Sequence, residues 1–287
     1  MAKMGSFMFI AALIALGLSA VFYLWYFWKI RRLGFSSLKV AAGPQEIVVP
    51  GMWGPGKFAT MMAVNSLVFL TLSIIFRWVV TGHGPFSNMY EFSVAFTWGI
   101  MVSFLYFERR YRIKSLGAIV VSMALAMLLY AYSLPSQALP LVPALQQNLL
   151  LTVHVAVAVI AYGSFTTGFG AAFLYLMQSS RRIPWLPSPD VVDDLGYRTV
   201  IIGYPFITLT IVLGALWADI AWGRYWGWDP KETASLVTWL IYGAYLHVRL
   251  VAGWKGSRSA LLLLLGFVAV LFTYFGNYFF GGLHAYR

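Results

Sequence analysis

Eight long apolar runs constrain the fold of this chain more than any other feature. They lie near residues 5–28, 58–80, 88–107, 115–134, 149–177, 199–221, 233–252 and 260–279. Runs of about 20 apolar residues are long enough to cross the roughly 30 Å hydrocarbon core of a bilayer as helices. Only 10% of the residues are charged, whereas a soluble domain has about one quarter. We therefore predict an all-α polytopic membrane protein with about eight transmembrane helices.

The first run resembles a signal peptide only in its position. Its apolar stretch is too long, and Lys29, Arg31 and Arg32 follow it as a stop-transfer flank. We expect it to be retained as a membrane helix. The connections between the runs are short, and none suggests a separate soluble domain. The whole chain, 1–287, is therefore predicted to form a single membrane domain.

The basic residues predict the orientation of the chain. If the N-terminus is outside, fifteen of the twenty Lys and Arg residues fall on one side of the membrane and five on the other. The larger group consists of Lys29, Arg31, Arg32, Lys39, Lys57, Arg109, Arg110, Arg112, Lys114, Arg181, Arg182, Arg198, Arg249, Lys255 and Arg258, and the smaller group of Lys3, Arg77, Arg224, Lys231 and Arg287. Cytoplasmic loops carry the Lys/Arg excess. Both termini are thus predicted to be extracytoplasmic, and the net charge of +11 reports topology rather than a nucleic-acid partner.

The chain contains no cysteine. This excludes structural disulfides, thiolate metal sites and a thiol nucleophile supplied by the chain itself. Any thiol chemistry must involve a partner.

The four histidines fall into two groups by depth. His83, His154 and His284 lie at or near the predicted outer surface. His247 follows Asp229 by eighteen residues, which places it roughly 27 Å deeper on the same helix at 1.5 Å per residue. A single histidine in a membrane helix is often only packed and hydrogen-bonded, but ionisable residues in membrane spans are functional candidates by default. If these histidines bind a ligand, the sequence predicts two separate locations.

The ligand that best suits these histidines is haem. Neutral imidazole binds zinc, copper, iron and nickel, but zinc sites usually add cysteine or carboxylate ligands close by. Aromatic residues make up 18% of this chain. Haem iron takes axial imidazoles, and the flat macrocycle needs a wide apolar surface.

The segment WGRYWGWDPKE, residues 222–232, combines charge and aromatic rings at the predicted outer surface. Its last four residues, Asp229 to Glu232, have the pattern of a helix N-cap with Pro at the first position and Glu at the third. An interfacial aromatic belt is one explanation for the rings, but their clustering around Gly223 and Gly227 favours a ligand-binding surface. The rings belong to Trp222, Tyr225, Trp226 and Trp228.

Two cations in or beside this cluster suit a ligand that carries carboxylates. Arg224 and Lys231 are two of the five basic residues on the predicted outer side. Charge-assisted hydrogen bonds from such groups to carboxylates are strong. Haem propionates are therefore candidate partners for both cations.

The stretch WGRYWGWDPKETASLVTWLIYGAYLHVRL resembles the tryptophan-rich WWD signature of the haem-handling membrane proteins of cytochrome c maturation. Within them it is most similar to the CcsA (ResC) family of the two-component, system II cytochrome c synthase. Three further segments resemble that family: GHGPFSNMYEF at 82–92, LLTVHVAVAVIAYGSF at 150–165 and NYFFGGLHAY at 277–286. The resemblance covers nearly the whole chain.

The resemblance implies a role for each histidine. His154 and His284 match the two outer axial ligands of haem iron at the WWD segment, and His247 matches a histidine of an inner haem site in the membrane. The family pairs that inner histidine with one from the partner protein Ccs1 (ResB, also CcsB), so the inner site is expected to be incomplete without the partner. His83 is expected to have a supporting role.

The implied reaction attaches haem b to an apocytochrome c through thioether bonds to the thiols of a CxxCH motif. The protein would be a cytochrome c haem lyase subunit that also moves haem from the inner to the outer site. The resemblance places it in the bacterial plasma membrane, or in the thylakoid membrane of a plastid, with its site facing outward. Asp229 has a second interpretation as a chemically active carboxylate, although capping alone explains it.

Three other functions are consistent with parts of the pattern. One is a haem exporter or chaperone that delivers haem without attaching it. Another is a b-type cytochrome, which would need paired histidines for each haem, although the chain has one inner histidine. The third is a transporter without a cofactor, which gives no reason for the placement of the histidines and tryptophans.

Overall fold

A computed structural model describes residues 1–33, 39–40, 47–48, 54–137, 148–179 and 183–280. Eight α-helices occupy most of this described part: α1 Ala2–Leu33, α2 Pro55–Thr81, α3 Met89–Tyr111, α4 Gly117–Tyr132, α5 Asn148–Ser179, α6 Pro189–Trp222, α7 Pro230–Leu250 and α8 Ser257–Phe280. A 3-10 turn, Lys114–Leu116, precedes α4, and two-residue strands β1 (Lys39–Val40) and β2 (Ile47–Val48) pair antiparallel.

Each helix coincides with one predicted apolar run, so the all-α fold is confirmed. Within the described part of the chain, seven helices are long and apolar enough to cross a membrane. The remaining one is α7, whose length of 21 residues is adequate. Its hydropathy is lower because it begins with Lys231 and Glu232 and ends near His247 and Arg249. The protein is a multi-pass membrane protein.

The helices form an antiparallel bundle with two chemically different ends. One end holds the starts of α3, α5 and α7 and the last turns of α4, α6 and α8, and we call it the cavity end for the cavity described below. The other holds the end of α3 and the start of α6, joined by a hydrogen bond of 2.6 Å from Tyr111 to Asp194. Arg109 and Arg110 lie in the last turn of α3 there, and we call it the basic end.

Three serine hydroxyls join helices α1 and α2 at regular intervals along their interface. A seven-residue spacing keeps the same face of each helix towards its partner, as in a coiled coil. In hydrocarbon, such bonds between helices satisfy polar groups that water cannot reach. The three bonds run from Ser73 to the carbonyl of Gly5 (3.1 Å), from Ser66 to that of Ala12 (3.0 Å) and from Ser19 to that of Ala59 (2.8 Å).

Helix α5 lies at the centre of the bundle, where it contacts α3, α6 and α8. The backbones of α5 and α3 are in direct contact where the two helices cross. The contact leaves no room for a side chain, because a Cβ atom added at Gly163 would lie 2.2 Å from the carbonyl oxygen of Gly99. Small residues allow this close approach between membrane helices. Because α5 also carries His154, the crossing fixes the helix that presents this histidine.

Two largely buried ion pairs hold the basic end together. Arg249 at the end of α7 binds both carboxylate oxygens of Asp193 on α6, at 2.9 and 2.6 Å. The backbone N–H of Gly256 donates to the same carboxylate at 3.0 Å. In a second network, one oxygen of Glu108 accepts bonds from Tyr23, Thr60 and Lys114, at 2.7 to 2.8 Å. Both carboxylates are therefore paired and hydrogen-bonded, as buried charges must be.

Candidate functional site

A cavity of about 440 Å³ lies at the cavity end of the bundle. This volume falls within the range of roughly 300–1,000 Å³ that is usual for small-molecule and cofactor sites. Its walls come from the segment before α3 and the first turn of α3, the segment after α4, the first half of α5, residues 210–217 of α6, the loop after α6, the first turns of α7, and Thr273 of α8. Among the residues that line it are Phe86, His154, Trp226 and Lys231. The fold thus brings together three segments that the sequence analysis selected, 82–92, 150–165 and 222–232.

His154 lines the cavity from the second turn of α5. Its Nδ1 atom lies 2.9 Å from the carbonyl oxygen of Thr210 on α6. A carbonyl can only accept a hydrogen bond, so Nδ1 carries the proton, and in the neutral ring Nε2 carries the lone pair. Metal-binding histidines usually donate their other N–H to a carbonyl or carboxylate in this way. The local geometry therefore suits an iron ligand.

Gly214 provides the space that the His154 ring occupies. A Cβ atom added at Gly214 would lie 2.8 Å from Cε1 and 3.2 Å from Nδ1 of the imidazole. A side chain at this position would therefore push the ring or move α6. Thr210 and Gly214 were not selected from the sequence, because they belong to an apolar run without a local motif.

The segment 222–232 connects α6 to α7 through two helix ends. Gly223 adopts a left-handed conformation, φ 72°, and its N–H bonds to the carbonyl of Asp219 at the end of α6. Asp229 and Glu232 form a capping box at the start of α7, which confirms the predicted cap. Within this box, one oxygen of Glu232 accepts from the backbone N–H of Asp229 (3.2 Å), and the same oxygen also accepts from the backbone N–H of Gly227 (2.8 Å). Glu232 therefore holds the loop as well as the helix start.

The four aromatic rings of the segment have different environments. Tyr225 and Trp226 line the cavity. Trp222 packs edge-on against Trp217, with ring centroids 4.7 Å apart, and Trp217 is a buried residue of the cavity wall. Trp228 is 69% exposed and has a positive φ of 55°, which is a strained conformation for a bulky residue. The rings are therefore divided between the cavity, its supporting wall and the outer surface.

The two cations of the segment also separate. Lys231 lines the cavity, with its Nζ atom 5.2 Å from the centre of the Phe92 ring. Arg224 is exposed and is not among the lining residues. Its guanidinium lies beside Gly227, where an added Cβ would approach it to within 3.0 Å. Gly223 thus ends a helix and Gly227 makes room for Arg224.

His83 lies beside the cavity rather than in its wall. It is buried, and its Nδ1 atom lies 3.0 Å from the carbonyl of Gly84. Gly84 packs so closely against Thr152 on α5 that an added Cβ would lie 2.1 Å from the threonine hydroxyl. The segment that carries His83 is therefore pressed against the part of α5 that carries His154.

The remaining two histidines lie elsewhere. His247 is in the last turn of α7 at the basic end, where its side chain is exposed. It is thus at the opposite end of the bundle from His154. His284 falls outside the described residues. Within the described part of the chain, no group of three or more His, Asp or Glu side chains is arranged to hold a metal ion.

These features define a class of protein: a multi-pass helical membrane protein with a histidine- and aromatic-lined cavity at one end. A family model described as "Cytochrome C assembly protein" matches residues 86–284. The curated relatives include "Cytochrome c biogenesis protein CcsA" from Guillardia theta, which is 38% identical over 77% of this chain and 83% of the relative. The corresponding protein of Chlamydomonas reinhardtii is 39% identical over 88% of this chain and 72% of the relative. That of Prochlorococcus marinus (strain MIT 9312) is 36% identical over 78% and 82%.

The chain belongs to the cytochrome c assembly protein family, and within it to the CcsA cytochrome c biogenesis proteins. This confirms the resemblance seen in the sequence. A solved structure, "Cytochrome c Heme Lyase CcmF", has the same fold, with a TM-score of 0.65 and 18% sequence identity. The match covers 96% of this chain and 46% of that protein, so this chain spans less than half of its length.

Proposed function

We propose that this protein is the haem-handling subunit of a cytochrome c synthase. It receives haem b, holds it in the cavity and presents it for attachment to the CxxCH motif of an apocytochrome c. Family membership supports the general role in cytochrome c assembly. The observation that carries the finer proposal is His154 in the cavity wall, with its Nδ1 proton held by the carbonyl of Thr210.

The lining of the cavity fits haem as the substrate. His154 would bind the iron through Nε2, and His284 would be the second axial ligand. Phe92, Trp217 and Trp226 give the cavity an apolar aromatic wall, which suits a flat macrocycle. Lys231 lies in the same wall and would bind a propionate carboxylate.

The attachment requires positioning more than acid–base catalysis by the chain. Each thiol adds across a haem vinyl group: sulfur bonds to one vinyl carbon, the thiol hydrogen goes to the other, and no net oxidation occurs. The chain has no cysteine, so both thiols come from the apocytochrome. Holding the reactants in a productive geometry supplies a large part of such a rate enhancement.

The remaining expectations complete the proposal. The cavity end and both termini face the extracytoplasmic side, and residues 1–287 act as one domain. The fifteen-to-five distribution of basic residues supports this orientation. His247 belongs to a second haem site at the basic end, which a Ccs1 (ResB) partner completes. The exposure of His247 on the bundle surface supports a shared site.

The double variant His154→Gly/His284→Gly tests the proposal. We expect the purified variant to lose the haem absorption of the extracytoplasmic site and to form no thioether bonds on a CxxCH peptide. Arg198→Gln is a suitable control, because Arg198 is an exposed residue at the basic end. A double variant with an unchanged spectrum and normal attachment would disprove the assignment. Haem binding by the unaltered protein and its partner without thioether formation would instead indicate an exporter or chaperone.

A further inference from the structure

The guanidinium of Arg77 joins three parts of the cavity end. It lies near the end of α2 and donates from Nε to Glu91 on α3 at 2.8 Å. Its other two nitrogens donate to backbone carbonyls of the segment that follows α4, those of Ser136 at 2.7 Å and Gln137 at 3.1 Å. The planar fork of arginine allows all three bonds at once. One side chain therefore connects α2, α3 and the segment 134–137.

Glu91 extends this connection to the segment before α3. The carboxylate oxygen that does not bind Arg77 accepts bonds from both the backbone N–H and the hydroxyl of Ser87, at 2.8 and 2.7 Å. The backbone N–H of Glu91 donates to the N-cap residue Asn88 at 2.9 Å. The glutamate is only 3% exposed. Its carboxylate is thus paired and hydrogen-bonded on both oxygens.

The connected segments form one wall of the cavity. Ser87 lines it from the segment before α3 and Tyr90 from the first turn of α3, whereas Leu134, Pro135 and Gln137 line it from the segment after α4. On the other side of this wall is a second cavity of about 250 Å³, lined by Arg77, Glu91 and Ser136 among other residues. Tyr90 lines both cavities. The wall thus separates two cavities, and the hydrogen bonds of Arg77 and Glu91 connect its segments.

We propose that the Arg77–Glu91 ion pair is a positioning element of the haem cavity. It holds the segment 134–137 and Tyr90 against the cavity, and thereby sets the width of the space in which haem meets the CxxCH peptide. This inference rests on the proposed function for the identity of the substrate. The fixing of the wall itself is a property of the chain and can be measured without haem.

The chain offers a closely matched control at the basic end of the same helix. Glu108 on α3 pairs with Lys114 at 2.8 Å, with side-chain exposures of 2% and 19%, whereas Glu91 pairs with Arg77 at 2.8 Å, with exposures of 1% and 19%. The Glu108 network does not include any residue that lines the cavity. Glu91→Gln and Glu108→Gln therefore remove similar buried charges with different relations to the cavity.

The first readout is the mobility of a nitroxide label on Gln137→Cys, measured by electron paramagnetic resonance. The protein contains no cysteine, so the label reacts at this position alone. We expect Glu91→Gln and Arg77→Met to mobilise the label, and Glu108→Gln to leave it unchanged. Arg77→Lys should also mobilise it, because lysine keeps the charge but cannot bind Glu91 and two carbonyls together.

The second readout is the rate of thioether formation on a CxxCH peptide per bound haem, together with the haem absorption spectrum. We expect Glu91→Gln and Arg77→Lys to lower the rate by about 10- to 100-fold, the size of effect that a small misplacement of reactants produces. The spectrum should shift in these variants. Glu108→Gln should retain both the rate and the spectrum, even where unfolding in denaturant shows a loss of stability.

The two readouts separate the two proposals. A label that stays equally immobile in all variants, or that Glu108→Gln mobilises as much as Glu91→Gln does, would overturn the positioning role whatever the substrate. If Glu91→Gln and Glu108→Gln lower the rate of thioether formation equally, the Arg77–Glu91 pair only stabilises the fold, and the positioning role is wrong. If Glu91→Gln mobilises the label but the unaltered protein does not bind haem when haem is supplied, the role of the ion pair in holding the wall stands. The proposed function would then be refuted.

Discussion

Glu91 and Glu108 lie near opposite ends of α3, and each carboxylate is buried and paired with a cation at 2.8 Å. Their surroundings differ. Glu108 accepts hydrogen bonds from Tyr23, Thr60 and Lys114 within a packed contact between helices. Glu91 belongs to a wall that separates two cavities. A buried carboxylate in a membrane helix is a functional candidate by default, and this comparison shows that its neighbours decide between a packing role and a positioning role.

The difference between packing contacts and positioning contacts also applies to the basic end and the cavity end as a whole. At the basic end, the Asp193–Arg249 pair is bidentate and connects α6 to α7. At the cavity end, the polar contacts orient particular groups: Thr210 holds His154, and Glu232 holds the loop that contains Trp228. We therefore expect changes at the basic end to reduce stability, and changes at the cavity end to alter haem binding beyond their cost in stability.

The largest effect on stability is expected for Arg249→Met. The variant leaves the Asp193 carboxylate, whose side chain is 12% exposed, without its cation. Breaking a fully buried pair costs about 3–5 kcal/mol, and we expect a loss near the lower end of that range. Unfolding by denaturant in detergent measures this loss. We expect the haem spectrum of the cavity-end site to stay unchanged in the protein that remains folded.

The double variant Arg249→Met/Asp193→Leu serves as the control for this prediction. It removes both charges, so a large part of the lost stability should return. A change of the cavity-end haem spectrum in either variant would contradict the separation of the two ends.

A smaller effect on stability, but a larger one on the site, is expected for Gly214→Ala. The added methyl group would lie 2.8 Å from Cε1 of His154, and such overpacking costs about 1–3 kcal/mol. Replacing a mid-helix glycine by alanine returns about 0.5–1 kcal/mol. We expect a net loss of up to about 2.5 kcal/mol and a shifted haem spectrum, because the imidazole must move.

Gly17→Ala is the matched control for Gly214→Ala. Gly17 also lies within a helix, but an added Cβ there would meet no atom within 4 Å. This variant should keep the spectrum and gain slightly in stability. If Gly214→Ala also kept the spectrum, then either His154 would not bind the iron or α6 would absorb the displacement. Measuring His154→Gly in parallel separates these outcomes, because it removes the imidazole itself.

The smallest effect is expected at the start of α7. Asp229→Ala removes the N-cap and should cost about 0.5–2 kcal/mol, whereas Asp229→Asn should keep most of the stability because asparagine caps equally well. Thioether formation by the two variants then tests the second interpretation of Asp229. If Asp229→Asn is stable and attaches haem normally, capping explains the residue; a stable variant that no longer attaches haem would identify a chemical role.

The helices and the helix cap were predictable from the sequence because their signals are local. Apolar runs of the right length produced the eight helices, and the spacing of Asp229 and Glu232 indicated the capping box. The family was predictable from the long motif in 222–250. By contrast, no local signal identifies Thr210 and Gly214, because their importance comes from the imidazole of a different helix.

The glycines and tryptophans in 222–232 show what the sequence could not predict about the site. The sequence predicted an aromatic surface around Gly223 and Gly227. In the structure Gly223 ends α6, Gly227 faces the Arg224 guanidinium, and Trp228 is turned outward. Composition shows that rings are close in sequence, but the backbone conformation decides the direction in which each one points.

The sequence by itself determined the membrane class, the eight helices, the family and the placement of His154 and His247 at opposite ends of the bundle. These depend on hydropathy, length and helical rise, which act along the chain. Only the tertiary structure decided that His154 donates to Thr210, that Lys231 rather than Arg224 lines the cavity, and that Arg77 connects α2, α3 and the segment after α4. Those contacts join residues far apart in the chain, and packing between helices fixes them.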